Sequence, residues 1–142
     1  MEIIENSNLK RGIERFILLN GHSSFPGWSY KRLEPWDNSI TKKKFIDHPQ
    51  KEVLLSSIVG TIHCDYTELT SWLEFLGALK KVNTPEILLV RANFSIQDYT
   101  NDYPTFICYN GKYWITDGNN RICASRFNTI KSVTASVREY FD

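Results

Sequence analysis

The sequence has no apolar run long enough to cross a bilayer, almost no net charge and no paired-cysteine motif. Its apolar stretches are far shorter than the roughly 20 residues that a membrane-spanning helix needs, so we expect no membrane span. Seventeen basic and sixteen acidic side chains leave a formal net charge of +1, so nucleic-acid binding would need a local basic patch. Three cysteines without CxxC spacing, and no signal-peptide pattern, predict a cytoplasmic protein.

A chain of 142 residues, 42% of them hydrophobic, is long enough for one sizeable core and too short for two typical domains. We expect an N-terminal extension over residues 1–45 that packs on a core domain over residues 46–142. Within the extension, residues 11–20 predict a short helix or strand, followed by a loop rich in glycine and proline. The basic run at 41–45 is typical of a solvated surface.

A long amphipathic helix is predicted over residues 67–82. Thr67 or Asp65 can cap its start, and Lys80 and Lys81 suit its last turn because cations are favoured at a helix C-terminus. A proline shortly afterwards prevents much continuation. The apolar side chains recur at helical spacing and are expected in the core: Leu69, Trp72, Leu73, Leu76 and Leu79.

The following segments have strand-like composition. Residues 53–60 predict a short buried strand or a helix end that stops at Gly60, and the apolar run over 86–94 predicts a strand. A loop rich in Asp, Asn and Tyr follows over 95–104. The dipeptide Asn110-Gly111 then predicts a tight hairpin, because both central positions of a type I′ turn need positive φ.

That hairpin pairs residues 105–109 with 112–116 and leads into a helix over 119–127, where Asn128 is expected in the left-handed position at the helix end. Alternating apolar residues predict a final strand over 132–140. The expected fold class is therefore α+β, a single small domain. It has a mixed sheet, a helical N-terminal half and a C-terminal strand-hairpin-helix-strand unit.

The join between the last hairpin strand and the helix, Asp117-Gly118-Asn119-Asn120-Arg121, has the composition of an anion site. Gly118 lets an anion approach the backbone, and the N–H groups of the first helical turn point outward at the positive end of the helix dipole. Arg121 is unfavourable there for the helix alone. Two explanations stay open: Arg121 binds an anion, or it pairs with Asp117 while Asp117 and Asn119 serve the turn and the cap.

The segment over 112–141 resembles the signature of the ParB/sulfiredoxin-like superfamily, in which a strand enters a [DE]-G-x-[HR]-R turn, followed by a short helix and a closing strand. A weaker resemblance extends back to Val53, through the stretches SSIVGTI and TPEILLV. The resemblance implies that Gly118, Asn119, Asn120 and Arg121 bind the phosphates of a nucleotide, with a nucleoside triphosphate and Mg²⁺ as the implied cofactors. The matching positions are Asp117, Gly118, Arg121, Ala124, Ala135 and Val137.

Departures from the superfamily pattern limit the implied chemistry. Asn119 stands where sulfiredoxins carry the reactive cysteine, so that repair reaction is not expected, and Asn120 brings no charge to the turn. Cys123 is expected to be a small core residue. From 142 residues we expect no separate DNA-binding domain of the kind that partition proteins carry.

Carboxylates and histidines form no metal-binding spacing in the sequence, so no metal site is predicted. Asp98, Asp102 and Asp117 are the best acidic candidates, and Asp117 is the residue expected to act as metal ligand or base if a reaction occurs. The histidines at 22, 48 and 63 are scattered and are expected to be structural or exposed.

The leading hypothesis is a stand-alone ParB-like domain that binds a nucleotide or another phosphate-bearing ligand at Asp117–Arg121. This hypothesis allows hydrolysis of a nucleotide or nucleic acid, or phosphoryl transfer, but does not require a reaction. The alternative is a non-catalytic regulatory or immunity-type interaction module with a decayed site. In that case Trp28, Trp36, Tyr30 and Arg32 could form a protein-binding surface. Ordinary packing of the two tryptophans is the competing explanation.

Overall fold

A computed structural model of the chain describes residues 7–69, 71–93 and 102–142. Within these residues the chain forms a small α+β domain with four α-helices and a five-stranded mixed sheet. Short 3₁₀ turns occur at Gly27–Tyr30, Asn38–Lys42 and Leu55–Ser57. The helices are α1 Ser7–Asn20, α2 Trp72–Ala78, α3 Pro85–Ala92 and α4 Asn119–Phe127, and the strands are β1 Lys44–Leu54, β2 Ile58–Thr61, β3 Thr105–Tyr109, β4 Lys112–Asp117 and β5 Ser132–Phe141.

The sheet has the strand order β1-β5-β3-β4-β2. The β1–β5 and β3–β4 pairs are antiparallel, whereas β3–β5 and β2–β4 are parallel. The β3–β4 hairpin is confirmed, and its turn residues Asn110 and Gly111 have φ values of 53° and 74°. The strand-hairpin-helix-strand expectation is confirmed for the hairpin, for α4 and for β5.

The core lies between one face of the sheet and the helices. In β5 the alternating residues Val133, Ala135 and Val137 are buried, as the sequence pattern predicts. Trp72 and Cys123 are also buried, at 1% and 0% exposure, so their assignment to the core is confirmed. None of the helices that the structure describes is long and apolar enough to cross a membrane.

Helix α2 is shorter than the predicted helix over 67–82. It begins at Trp72 because the Ser71 side chain accepts a hydrogen bond from the Glu74 N–H, and it ends at Ala78. At that end, Arg15 of α1 donates to the carbonyl oxygens of Leu76 and Gly77 in the last turn and of Leu79 just after it. These contacts satisfy carbonyl groups that would otherwise lack a partner at the helix terminus. Lys80 and Lys81 therefore follow the helix instead of forming its last turn.

The strand predicted over 86–94 is wrong, since Pro85–Ala92 is helix α3. Thr84 caps it by accepting from the Ile87 N–H, Pro85 occupies the first turn and Arg91 the last. These are strong helix signals, but a continuous apolar run fits a buried strand equally well. Residue 94 and most of the loop expected over 95–104 lie outside the described residues.

The prediction of a helical N-terminal half is also wrong, because strands β1 and β2 both lie in the first half of the chain. Residues 53–60 contain the end of β1 and most of β2, which continues past Gly60 to Thr61. Asn128 has a φ of −100°, and the left-handed conformation is taken instead by Thr129, with a φ of 62°.

Residues 11–20 belong to helix α1, which packs against α2. Phe16 of α1 is part of the hydrophobic core. The contact is close: a Cβ on Gly12 would lie 1.9 Å from the Leu73 carbonyl oxygen. The boundary proposed between residues 45 and 46 falls inside β1, where Phe45 pairs with Tyr140 and Ile46 with Glu139 of β5.

Candidate functional site

The turn between β4 and α4 depends on Gly118. This residue is the N-cap of α4 and has a left-handed conformation, with φ 97° and ψ 25°. A Cβ at this position would be strained by that φ and would lie 3.1 Å from the Cβ of Pro104. Gly118 makes no side-chain cap, so the N–H groups of the first helical turn receive no hydrogen bond from it. Among the described hydrogen bonds, none caps the backbone N–H groups of Asn119 and Asn120 at the start of α4.

A cleft of about 360 Å³ lies over this turn. The five residues singled out from the sequence all line it, together with side chains from the segments that follow β2 and α2 and from α3. The other lining residues are His63, Asp65, Tyr66, Lys80, Lys81, Arg91 and Asp102. The fold therefore gathers around the turn residues that lie as far apart in the sequence as His63 and Arg121.

Charged side chains of both signs line the cleft. The ammonium of Lys80 lies 2.9 Å from the Asp65 carboxylate, and Arg121 Nη1 lies 3.6 Å from that of Asp102. Among the residues that the structure describes, no carboxylate forms an ion pair with Lys81 or Arg91, two further cationic residues of the cleft. The cleft thus has cations that are available for an anionic ligand.

Arg121 contacts Asp102. Its Nη1 donates a hydrogen bond to the Asp102 carbonyl oxygen at 2.9 Å, and its side chain is 12% exposed. An acidic partner of Arg121 is therefore Asp102, from the segment before β3, whereas the sequence suggested Asp117. Asp117 is exposed and takes part in none of the ion pairs found in the described part of the chain.

The two asparagines of the turn use their side chains within the protein. Asn119 is buried, and its Oδ1 accepts a hydrogen bond of 2.6 Å from the Thr61 hydroxyl at the end of β2. Thr61 Oγ1 in turn accepts from the His63 N–H. Asn120 Oδ1 accepts from the Lys81 N–H at 3.3 Å. These bonds tie the start of α4 to the segment that follows β2 and to the segment that follows α2.

One group of possible metal ligands borders the cleft. His63, Cys64 and Asp65 are exposed, and one ligand atom from each lies within 4.8 Å of the others. The Asp65 N–H donates to His63 Nδ1, and the Lys80 ammonium pairs with the Asp65 carboxylate. Hydrogen bonding from Lys80 lowers the pKa of Asp65. Two of the three side chains are thus already engaged within the protein.

Other sequence candidates lie elsewhere. His48 contacts Glu139 at 3.0 Å, on the β1–β5 pair, and His22 lines a different pocket. Burial raises the pKa of the Cys123 thiol well above its usual range, which suits a core residue and not a nucleophile. Asp98 lies outside the described residues.

Trp28 and Trp36 are half-buried and pack on other aromatic rings instead of forming an exposed surface. Trp28 lies against Phe127, with ring centroids 4.6 Å apart, and Trp36 lies against Trp114 at 4.9 Å. Ordinary packing therefore accounts for both tryptophans.

Sequence reasoning missed the cations that face the turn. Lys80 and Lys81 suited the end of a longer helix, and Arg91 was placed on a strand, so none was linked to Asp117–Arg121. The signal for Arg91 was the Thr84-Pro85-Glu86 helix start, which puts the arginine in a last turn.

Comparisons of the chain with protein-family models, with curated proteins and with solved structures give no match.

Proposed function

We propose that the cleft over Asp117–Arg121 binds a nucleotide or another phosphate-bearing ligand. One observation carries the proposal: the N-terminus of α4, which receives no side-chain cap from Gly118, borders a cleft that is also lined by Lys80, Lys81 and Arg91. Helix N-terminal N–H groups and cationic side chains stabilise a phosphate together. The resemblance of the turn to the ParB/sulfiredoxin-like signature supports the same ligand class.

Within this proposal the asparagines orient the backbone, and the charge comes from side chains of other elements. Asn119 and Asn120 already accept hydrogen bonds through Oδ1. Asp117, exposed at the same turn, is the residue that would hold Mg²⁺ or act as a base in a hydrolase or phosphotransferase reaction.

The test is thermal unfolding with a panel of nucleotides, triphosphate and pyrophosphate, each with and without magnesium. A ligand at 100 times its dissociation constant stabilises the folded state by about 2.7 kcal/mol. Lys81→Ala should reduce this stabilisation without altering the stability of the unliganded protein, since Lys81 is exposed and forms none of the described ion pairs. Arg121→Ala should abolish it.

Arg138→Ala is the matched control, because Arg138 pairs with Asp47 on the β1–β5 strands and does not line the cleft. Binding that survives both Lys81→Ala and Arg121→Ala would refute the assignment of the site.

A non-catalytic interaction module is the second candidate. The engagement of the Asn119 and Asn120 side chains within the protein favours it, because these side chains then act as structural ties. A protein that no compound of the panel stabilises would support this candidate and eliminate the phosphate site.

A further inference from the structure

A second and larger pocket lies at the opposite end of α4 from the turn. Its volume is about 620 Å³, within the roughly 300–1,000 Å³ of small-molecule sites. Its apolar wall is strongly aromatic, with Phe16, Phe25, Trp28 and Phe127. The first of these rings packs on the second and fourth, so the wall is continuous with the core. Such a wall favours a flat, apolar ligand.

The charged side chains that the structure describes around this pocket are cationic. Arg126 and Lys131 line it, and no described aspartate or glutamate does. Arg126, in the last turn of α4, is held against two indole rings, 4.1 Å from the ring centroid of Trp28 and 4.4 Å from that of Trp72. Its planar guanidinium is thus fixed in direction as well as in place.

Arg126 has N–H groups that no described residue accepts in a hydrogen bond. The described hydrogen bonds engage Nη1, which donates to the Ile58 carbonyl oxygen at 3.1 Å. No described side-chain nitrogen is both shielded from solvent and without a partner, so solvent reaches the other nitrogens of Arg126. Arg126 lines this pocket and also a much smaller one of about 30 Å³, too small for an aromatic ligand, on which Glu34 borders. No carboxylate among the described residues forms an ion pair with Arg126. Burial lowers the pKa of Arg126 to about 10, so the group stays charged at neutral pH.

We propose that this pocket binds a small aromatic carboxylic acid, with the ring against Phe16, Phe25 and Trp28 and the carboxylate on Arg126. A carboxylate matches the fork geometry of the guanidinium and supplies the negative charge that the pocket lacks. The proposal is independent of the phosphate site, because it uses other residues at the other end of α4.

Isothermal titration with cinnamate and with its neutral amide tests the charge requirement. The acid should bind at least about tenfold more tightly than the amide, because a charged hydrogen bond contributes more than a neutral one. Arg126→Lys, which keeps the charge and loses the fork, should weaken cinnamate binding about 10- to 100-fold and bring the two compounds closer in affinity. A purely structural Arg126 would not discriminate between acid and amide.

Ser24→Trp provides a test that leaves Arg126 and the core intact. Ser24 is exposed and lines the pocket, whereas its neighbour Ser23 is exposed and does not, so Ser23→Trp is the matched control. We expect Ser24→Trp to abolish cinnamate binding and Ser23→Trp to preserve it. Equal binding of acid and amide, binding retained in Ser24→Trp, or no binding of cinnamate, 2-naphthoate and indole-3-acetate at millimolar concentration would each overturn the proposal.

Discussion

The hydrogen bond between Thr61 and Asn119 joins the end of β2 to the start of α4, where Asn119 lines the cleft. Both side chains are buried, at 2% and 7% exposure, and the bond is 2.6 Å long. Asn119→Ala removes the acceptor, but the Thr61 hydroxyl can still donate to the Ile115 carbonyl oxygen, 3.2 Å away. The expected loss of stability is therefore close to that of one neutral hydrogen bond plus lost packing, about 1–2 kcal/mol.

Thr61→Val should lower the free energy of unfolding more than Asn119→Ala does. It leaves Asn119 Oδ1 buried without its donor, which costs about 1–3 kcal/mol. It also removes the acceptor of the N–H of His63, an exposed residue, which adds a smaller loss. The two variants and the double variant form a cycle, whose coupling energy should be at least about 0.5 kcal/mol for residues in direct contact. The assay is urea unfolding at constant m-value.

Asn83→Ala is the control, because Asn83 is exposed, and a surface change of this kind stays within about 0.5 kcal/mol. A change of that size in Asn119→Ala, or zero coupling with Thr61→Val, would refute a structural role for Asn119. The phosphate hypothesis would then regain this side chain as a ligand.

Two further predictions concern the elements that carry the cleft residues. Gly77→Ala should destabilise the protein by about 1–3 kcal/mol even after its gain in helix propensity, because the new Cβ would lie 1.7 Å from the Asn8 carbonyl oxygen; Gly27→Ala, with open space around it, is the control in urea unfolding. Lys80 lowers the pKa of Asp65, so this carboxylate contributes stability above its unfolded pKa near 4 and loses that contribution as the pH falls through its lower folded pKa. Asp65→Asn should therefore lower the melting temperature at neutral pH and flatten its decline on the acid side, and parallel melting curves against pH would contradict this.

Local chemistry explains which elements could be predicted from the sequence. The Asn110-Gly111 turn and the alternation of β5 depend on residues close together in the chain, and both are found. The start of α4 was also predictable, because Gly118 and the following polar residues separate it from the strand. In these places propensity and tertiary structure agree.

The wrong predictions concern helices whose bounds or type depend on contacts between residues that are far apart in the sequence. Helix α2 ends at Ala78 partly because Arg15, more than sixty positions away, binds its last carbonyl groups. No local pattern contains that information. The apolar run of α3 is buried at Leu88 and Ala92 but exposed at Val90, so its hydrophobicity alone could not distinguish a helix from a strand.

The contrast between local sequence pattern and long-range contact also applies to the charge of the proposed phosphate site. In the superfamily pattern that the turn resembles, the residue before the last arginine is cationic, and here it is Asn120. The side chain of Asn120 holds the Lys81 N–H, and the Lys80-Lys81 segment brings two ammonium groups to the cleft. In the proposed phosphate site, Asn120 therefore brings no charge itself, and its hydrogen bond positions the segment that carries Lys80 and Lys81. On this reasoning, Asn120→Ala should weaken phosphate binding through the position of Lys81, and should have little effect in a Lys81→Ala background.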